Sequence, residues 1–203
     1  RIRISPHPLY DNFGEPLSRE LAREHLELDQ KQRIVLFFGF IRAYKGLDLL
    51  IRAMAEEEIR RLDVKLLVAG EFYDSPKDYH QLAQSLGLDN ILWHTDFIPS
   101  ARVRDYFCAA DLVAQPYKTA TQSGVTQVAY HFEVPMLVTA VGGLPEMVPH
   151  GIAGYVTGPE PRAIALAMAD YFMQNKREQL SRGIRKLKTA YSWNAFVDAL
   201  INH

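Results

Sequence analysis

Short apolar blocks alternate with amphipathic stretches along most of the chain. The blocks lie at residues 34–38, 65–69, 91–94, 112–115, 136–139 and, shorter, 154–156. Most are apolar at successive positions instead of every second one, the pattern of strands buried on both faces. Between them, apolar residues recur at i, i+3, i+4, i+7. Leu47, Leu50, Ile51 and Met54 form one such helical stripe, and Val125, Val128, Ala129 and Phe132 another. A helical pattern also runs through "PLSRELAREHLEL", ahead of the first block, and three helices are expected to close the chain, from Pro161, from about Lys176, and in "YSWNAFVDALINH". Strands alternating with helices predict an α/β domain, a doubly wound parallel sheet with helices on both faces.

Composition narrows the function classes. A chain of 203 residues suits one domain with an added terminal element, and 48% hydrophobic residues exclude a disordered polymer. The formal net charge of −1 offers no global basic field for nucleic acid or an anionic membrane, so any anion site is local. The single cysteine, Cys108, rules out a disulfide framework and a cysteine-rich metal site, and reads as a small buried helix residue. The longest apolar block, "IVLFFGFI", is too short to span a bilayer, and membrane association finds no support in the sequence. With no secretory leader pattern, the default location is cytoplasmic. The opening "RIRISPHPLYDNFG" lacks Met and reads as a strand and linker leaving a preceding unit. The expected organisation is therefore a leading segment at 1–16, the α/β domain at 17–190 and a final helix at 191–203.

In such sheets ligands bind beyond the carboxyl ends of the strands. Gly39, Asp96 and Ser123 are accordingly expected at one edge. The loop "FFGFIRAYKG" fits neither G-x-G-x-x-G nor G-x-x-x-x-G-K-[ST]. What remains is Gly39 after a strand, then Arg42 and Lys45 at a helix start whose dipole disfavours cations. Either the pair is solvated, or an anion sits before it. In "PYKTATQSGVTQ", Ser123 reads as an N-cap, with Gly124, Val125 and Thr126 offering amides, so the loop is an ordinary cap or a second anion cradle. Two cradles on one edge suit a diphosphate. In "TAVGGLPEMVPHGIAG" the paired glycines serve a ligand or merely a tight turn, and in "HTDFIP" Asp96 and Phe97, beside backbone polar groups, could meet a planar base, although a phenylalanine there is more often core. No metal-ligating pair of His or Cys, no aspartate pair and no hydrolase motif is present, so metal chemistry is not expected.

The ordered series "FFGFIRAYKGLDLLIRAM", "KLLVAGEF", "ILWHTDFIPSARVRDYFCAADLVAQPY", "TQSGVTQVAYHFEVPMLVT" and "VGGLPEMVPHGIAGYV" resembles the C-terminal half of retaining GT-B glycosyltransferases, the group 1 family that includes glycogen synthases. That resemblance implies a Rossmann-like domain that binds a nucleoside diphosphate sugar, without a metal or other cofactor, and faces an absent N-terminal domain that binds the acceptor and that the final helix at 191–203 is expected to contact. It places the family's lysine on Lys45 and its arginine on Phe40, so Arg42 is the substitute guanidinium. Arg42 and Lys45 become the expected catalytic residues, stabilising the departing diphosphate. Gly39, Asp96, Phe97, Ile98, Thr121, Gln122, Ser123, Gly124, Val125 and Thr126 become the expected nucleotide-sugar contacts. Two family glutamates fall near Ala120 or Thr121 and on Val128, none of them acidic. The alternatives are a non-catalytic nucleotide-sugar scaffold, a sugar-nucleotide epimerase, or a phosphorylase, for which no pyridoxal lysine is marked. The isolated 203 residues are expected to bind donor without transferring sugar.

Overall fold

A computed structural model of the chain describes residues 9–10, 12–193 and 196–197. Six strands, β1 (Arg33–Phe38), β2 (Val64–Ala69), β3 (Ile91–His94), β4 (Leu112–Gln115), β5 (Met136–Thr139) and β6 (Gly154–Thr157), form one sheet in the order β3-β2-β1-β4-β5-β6. Every neighbouring pair is parallel. The order reverses between β1 and β4, and the crevice of such a fold opens there.

Nine α-helices are described: α1 (Arg19–His25), α2 (Leu47–Met54), α3 (Glu57–Arg60), α4 (Lys77–Ser85), α5 (Val103–Ala109), α6 (Gly124–His131), α7 (Leu144–Met147), α8 (Pro161–Met173) and α9 (Arg177–Lys188). Side chains alternate across the sheet. Ile34 and Leu36 face α1, α5 and α6, while Val35 and Phe37 face α2 and α8. Two apolar layers result, and each fully buried Leu, Ile, Val or Phe in them contributes about 1.5–3 kcal/mol.

The expected strands agree with those observed to within a residue at each end. Helices differ more. α3 and α7 are single turns, too short for a period to show, and α4 fully buries only Ala83, with Tyr79 and Leu82 partly buried beside it on a largely polar stretch. Lys45 does not open α2. Ala43–Lys45 form a separate 3-10 turn, ended by Gly46 in the left-handed conformation at φ 70°, and α2 begins at Leu47. Of the expected leading segment, 1–8 and 11 lie outside the described residues. Leu9 is buried, and its amide donates to the Tyr191 carbonyl. Of the expected final helix, 194–195 and 198–203 lie outside the described residues, and Trp193 is half exposed.

One buried polar hub ties the layers at the amino ends of the strands. Asp111, just before β4, accepts from the Ile34 amide at 2.8 Å and from Arg23 at 3.0 Å through Oδ2. Its Oδ1 takes Arg19 and Arg177, each at 2.7 Å. Arg23 is fully buried, and its remaining donors reach the carbonyls of Ala109, Asp29 and Gln30. A buried guanidinium is tolerated only when its donors are satisfied in this way.

Candidate functional site

The loops after β1 and β2 stay joined past the end of the sheet. Gly39 N–H donates to the Ala69 carbonyl, Ile41 N–H to Glu71, and Tyr73 N–H back to Ile41. The loop after β4 then crosses the 3-10 turn. A Cβ on Gly46 would sit 1.9 Å from the Pro116 carbonyl oxygen, so only glycine admits that crossing. Lys118 fastens it twice, donating its amide to the Tyr44 carbonyl at 2.7 Å and its ammonium to Asp48 at 2.8 Å.

This crossing decides where Lys45 points. Its side chain is 9% exposed and folds back over Gly39, with Nζ 3.2 Å from where a Gly39 Cβ would be. The same point lies 3.7 Å from Val125 in the first turn of α6, and Nζ is 5.9 Å from the Tyr117 ring centroid. Among the described residues no hydrogen-bond acceptor or carboxylate contacts this ammonium. Burial, with a smaller push from Arg42, lowers its pKa to about 8. Arg42 does not converge with it on a helix start. Its guanidinium lies 4.1 Å from the Tyr73 ring centroid, without a carboxylate partner among the described residues. The expectation of two cations facing the start of α2 is therefore corrected. One buried cation faces the start of α6, because Gly46 separates the turn from α2, and the second is held on an aromatic ring.

At α6, Ser123 is an N-cap. Its Oγ accepts from the Val125 amide at 3.2 Å and pairs with the Tyr117 hydroxyl at 3.1 Å. The expected row of three amides is thus reduced, since Val125 is engaged while Gly124 and Thr126 N–H meet no acceptor among the described residues. A Cβ on Gly124 would sit 3.6 Å from the Tyr10 ring. The Thr126 side chain is buried and donates to Gln115 at 3.0 Å, which leaves only its backbone for a ligand. Beneath this turn Gln115 Nε2 and Gln127 Oε1 are buried without partners among the described residues. Val128, at the second glutamate position, packs in the core.

Thr121 and Gln122 are placed by the loop after β5. Gly143 N–H donates to the Thr121 carbonyl at 2.9 Å, and a Cβ on Gly142, at φ 53°, would come within 1.8 Å of the Ala120 oxygen. The paired glycines therefore serve close approach of a neighbouring loop. Gly142→Ala is expected to displace the 120–122 loop and to cost more than the ~1–2 kcal/mol of left-handed strain alone. Gly151→Ala, at φ 75° with open space around it, supplies the strain-only comparison in thermal unfolding. Equal losses in the two variants would disprove the close approach.

Asp96, Phe97 and Ile98 follow β3 on the same edge, two strands from β1. Phe97 is not core, being 71% exposed, and Ile98 packs partly on the interior. Parallel strands put Gly39, Asp96 and Ser123 together at the carboxyl edge, as expected. Tyr73 beneath Arg42 and Tyr117 behind Ser123 had no sequence signal beyond being tyrosines in loops after strands. Among the described residues no group of three His, Cys, Asp or Glu assembles that could hold a metal, and no helix is long and apolar enough to cross a membrane.

A family model described as Glycosyl transferases group 1 matches residues 32–174. A D-inositol 3-phosphate glycosyltransferase from Geodermatophilus obscurus is 32% identical over 98% of this chain, and the chain spans 45% of that relative. Among solved structures, sucrose-phosphate synthase from Thermosynechococcus elongatus superposes with a TM-score of 0.83 at 24% identity, over 95% of this chain and 49% of that one. Alr3699/HepE from Anabaena, in complex with UDP-glucose, gives 0.72 at 20% identity, over 93% of this chain and 52% of that one. These structures share the fold, and the chain spans about half the length of the curated relatives it matches.

Proposed function

Since the chain belongs to the glycosyl transferases group 1 family, we propose that it is the donor-binding half of a retaining glycosyltransferase, with the acceptor held by an N-terminal domain outside this chain. One observation carries the reading. Lys45 is a buried cation without a counter-charge among the described residues, and its ammonium lies over Gly39 toward the first turn of α6. Burying an uncompensated cation is costly, and an oxyanion between Lys45 and the Gly124 and Thr126 amides removes that cost while gaining charge-assisted hydrogen bonds.

In this reading the diphosphate of a nucleoside diphosphate sugar lies over Gly39. As the bond from the anomeric carbon to the diphosphate oxygen breaks, negative charge grows on the leaving group. Lys45 is already in place to stabilise it, which requires no reorganisation at that moment. Arg42 reaches the same phosphates by leaving the Tyr73 ring. Thr121, Gln122 and Ser123 offer neutral hydrogen bonds to the sugar side, and backbone groups at Asp96–Ile98 meet the base. Lys45, Arg42 and amides supply the positive charge, so the reaction proceeds without a metal or organic cofactor, and a cytoplasmic location suits a nucleotide-activated donor. A second reading, a non-catalytic nucleotide-sugar binding domain, is favoured by Val128 lying in the core and by the absence of a carboxylate at Ala120 or Thr121.

Thermal unfolding with UDP, ADP and GDP, each against its nucleoside, tests the site. A hundredfold excess over the dissociation constant stabilises by about 2.7 kcal/mol, and no stabilisation by any diphosphate would overturn the proposal. The chain alone is expected to bind donor without transferring sugar, because transfer needs donor and acceptor held in register. Transfer by the full-length protein separates the enzyme from the scaffold.

A further inference from the structure

A second concentration of positive charge lies at the opposite edge of the sheet. A cavity of about 290 Å³ is walled by Arg19, Arg33, Lys176, Arg177 and Asn175 around Asp111. Asp111 is the sole carboxylate among its lining residues, and both its oxygens are taken by three guanidinium groups and the Ile34 amide. One negative charge therefore serves Arg19, Arg23 and Arg177. Arg33 and Lys176 add two more cations, whose hydrogen bonds go to the Leu62 carbonyl and the Gln179 amide oxygen and not to carboxylates.

Two further features leave donors over. Arg19 Nε is buried without a partner among the described residues. α9 starts in this wall with Lys176 as a residue whose side chain caps nothing and Arg177 as its first helical position. The Arg177, Glu178 and Gln179 amides at that start meet no acceptor among the described residues, and the helix dipole disfavours both cations there, of which only Arg177 reaches Asp111. The crowding is also felt beneath. Burial lowers the Arg23 pKa most, Asp111 opposes that, and Arg19 and Arg177 lower it further.

We propose that this cavity is a second oxyanion site, distinct from the crevice, that takes a phosphate or phosphomonoester between Arg33, Lys176 and the start of α9. The group completes the charge balance that Asp111 leaves open. It also bridges the start of β1, the start of α9 and, through Arg19, α1. Such a ligand adjusts the stability of the domain from the edge opposite the nucleotide. The proposal does not depend on the reading of the crevice.

The test is thermal unfolding of the 203-residue chain in inorganic phosphate against sodium chloride of equal ionic strength. Three forms are compared: the natural sequence, Lys45→Ala, and Arg33→Ala combined with Lys176→Ala. The double variant leaves the Asp111 hub whole, and Arg33→Gln, with a side chain that still reaches the cavity edge, serves as a milder second variant. Phosphate is expected to raise the midpoint in the natural chain and in Lys45→Ala alike, with affinity about tenfold weaker in the double variant. No rise over chloride in the natural chain overturns the proposal. So does a rise that Lys45→Ala removes and the double variant keeps, because the phosphate then sits in the crevice. Glucose 6-phosphate and vesicles of phosphatidylcholine containing phosphatidic acid separate a soluble phosphomonoester from a lipid headgroup. Binding of either that the double variant loses supports the site.

Discussion

Lys45→Met is expected to stabilise the ligand-free chain and to weaken nucleoside diphosphate binding, two effects of opposite sign from one side chain. Burial, then Arg42, lowers the Lys45 pKa from 10.5 to about 8. At about 1.4 kcal/mol per unit, the buried charge costs the ligand-free fold on the order of 3 kcal/mol at neutral pH, which an apolar side chain of similar length recovers. Losing a charge-assisted bond to phosphate costs about 1.5–3 kcal/mol of binding, roughly tenfold to a hundredfold in affinity. The nucleoside alone should bind the variant as before.

The pH dependence follows from the same shift. Between about 8 and 10.5 the unfolded chain holds a proton on Lys45 that the ligand-free fold has lost. The contribution of this group to ligand-free stability therefore rises with pH across that window and is flat below it. Diphosphate binding restores the proton, so affinity falls above about pH 8, at most about tenfold per pH unit. In Lys45→Met that slope disappears. Calorimetry with UDP and uridine from pH 7 to 9.5 measures all of this, and unchanged UDP affinity would make Lys45 a bystander. Arg42→Ala should weaken UDP less, since part of what it loses is its stacking on Tyr73.

Asp111→Ala is expected to cause the largest loss of stability of any change discussed. Its carboxylate is the shared acceptor of Arg19, Arg23, Arg177 and the Ile34 amide. Removing it strands the fully buried Arg23 charge, and breaking a buried pair from one side typically costs about 3–5 kcal/mol. Asp111→Asn retains an acceptor for Ile34 and should lose less. In Arg23→Met combined with Asp111→Ala the losses should fall well short of additive, because the stranded charge is gone. Urea unfolding of the natural chain, Asp111→Ala, Asp111→Asn, Arg23→Met and the double variant decides the matter, and a loss under about 1 kcal/mol for Asp111→Ala would show that water replaces the carboxylate. Misfolding of the variant would itself agree with the expected size of the effect.

The strands were legible because a parallel sheet buried on both faces needs continuous apolar runs, and blocks such as 112–115 and 136–139 have no other economical place. Ser123 as a cap was legible too, since a small oxygen-bearing residue before a helical stripe has a local role. α3 and α7 were harder to read because a single turn carries no period. The direction of Lys45 was decided in three dimensions. Lys45 and Gly46 are neighbours in sequence, but the Pro116 carbonyl that makes Gly46 obligatory is far along the chain. That crossing turns the ammonium toward α6 instead of α2. Arg42 on Tyr73, and Gly142 against Ala120, likewise depend on loops that meet only once the sheet has set their spacing. Asp111 shows the same division. In sequence it is one aspartate between a helix and a strand, and its role appears only when α1, β1 and α9 bring three guanidinium groups and an amide to it. Apolar periodicity is a property of successive residues and is therefore written in the chain. The pairing of charges and the close approach of backbones depend on distances between segments, and only the folded sheet sets those.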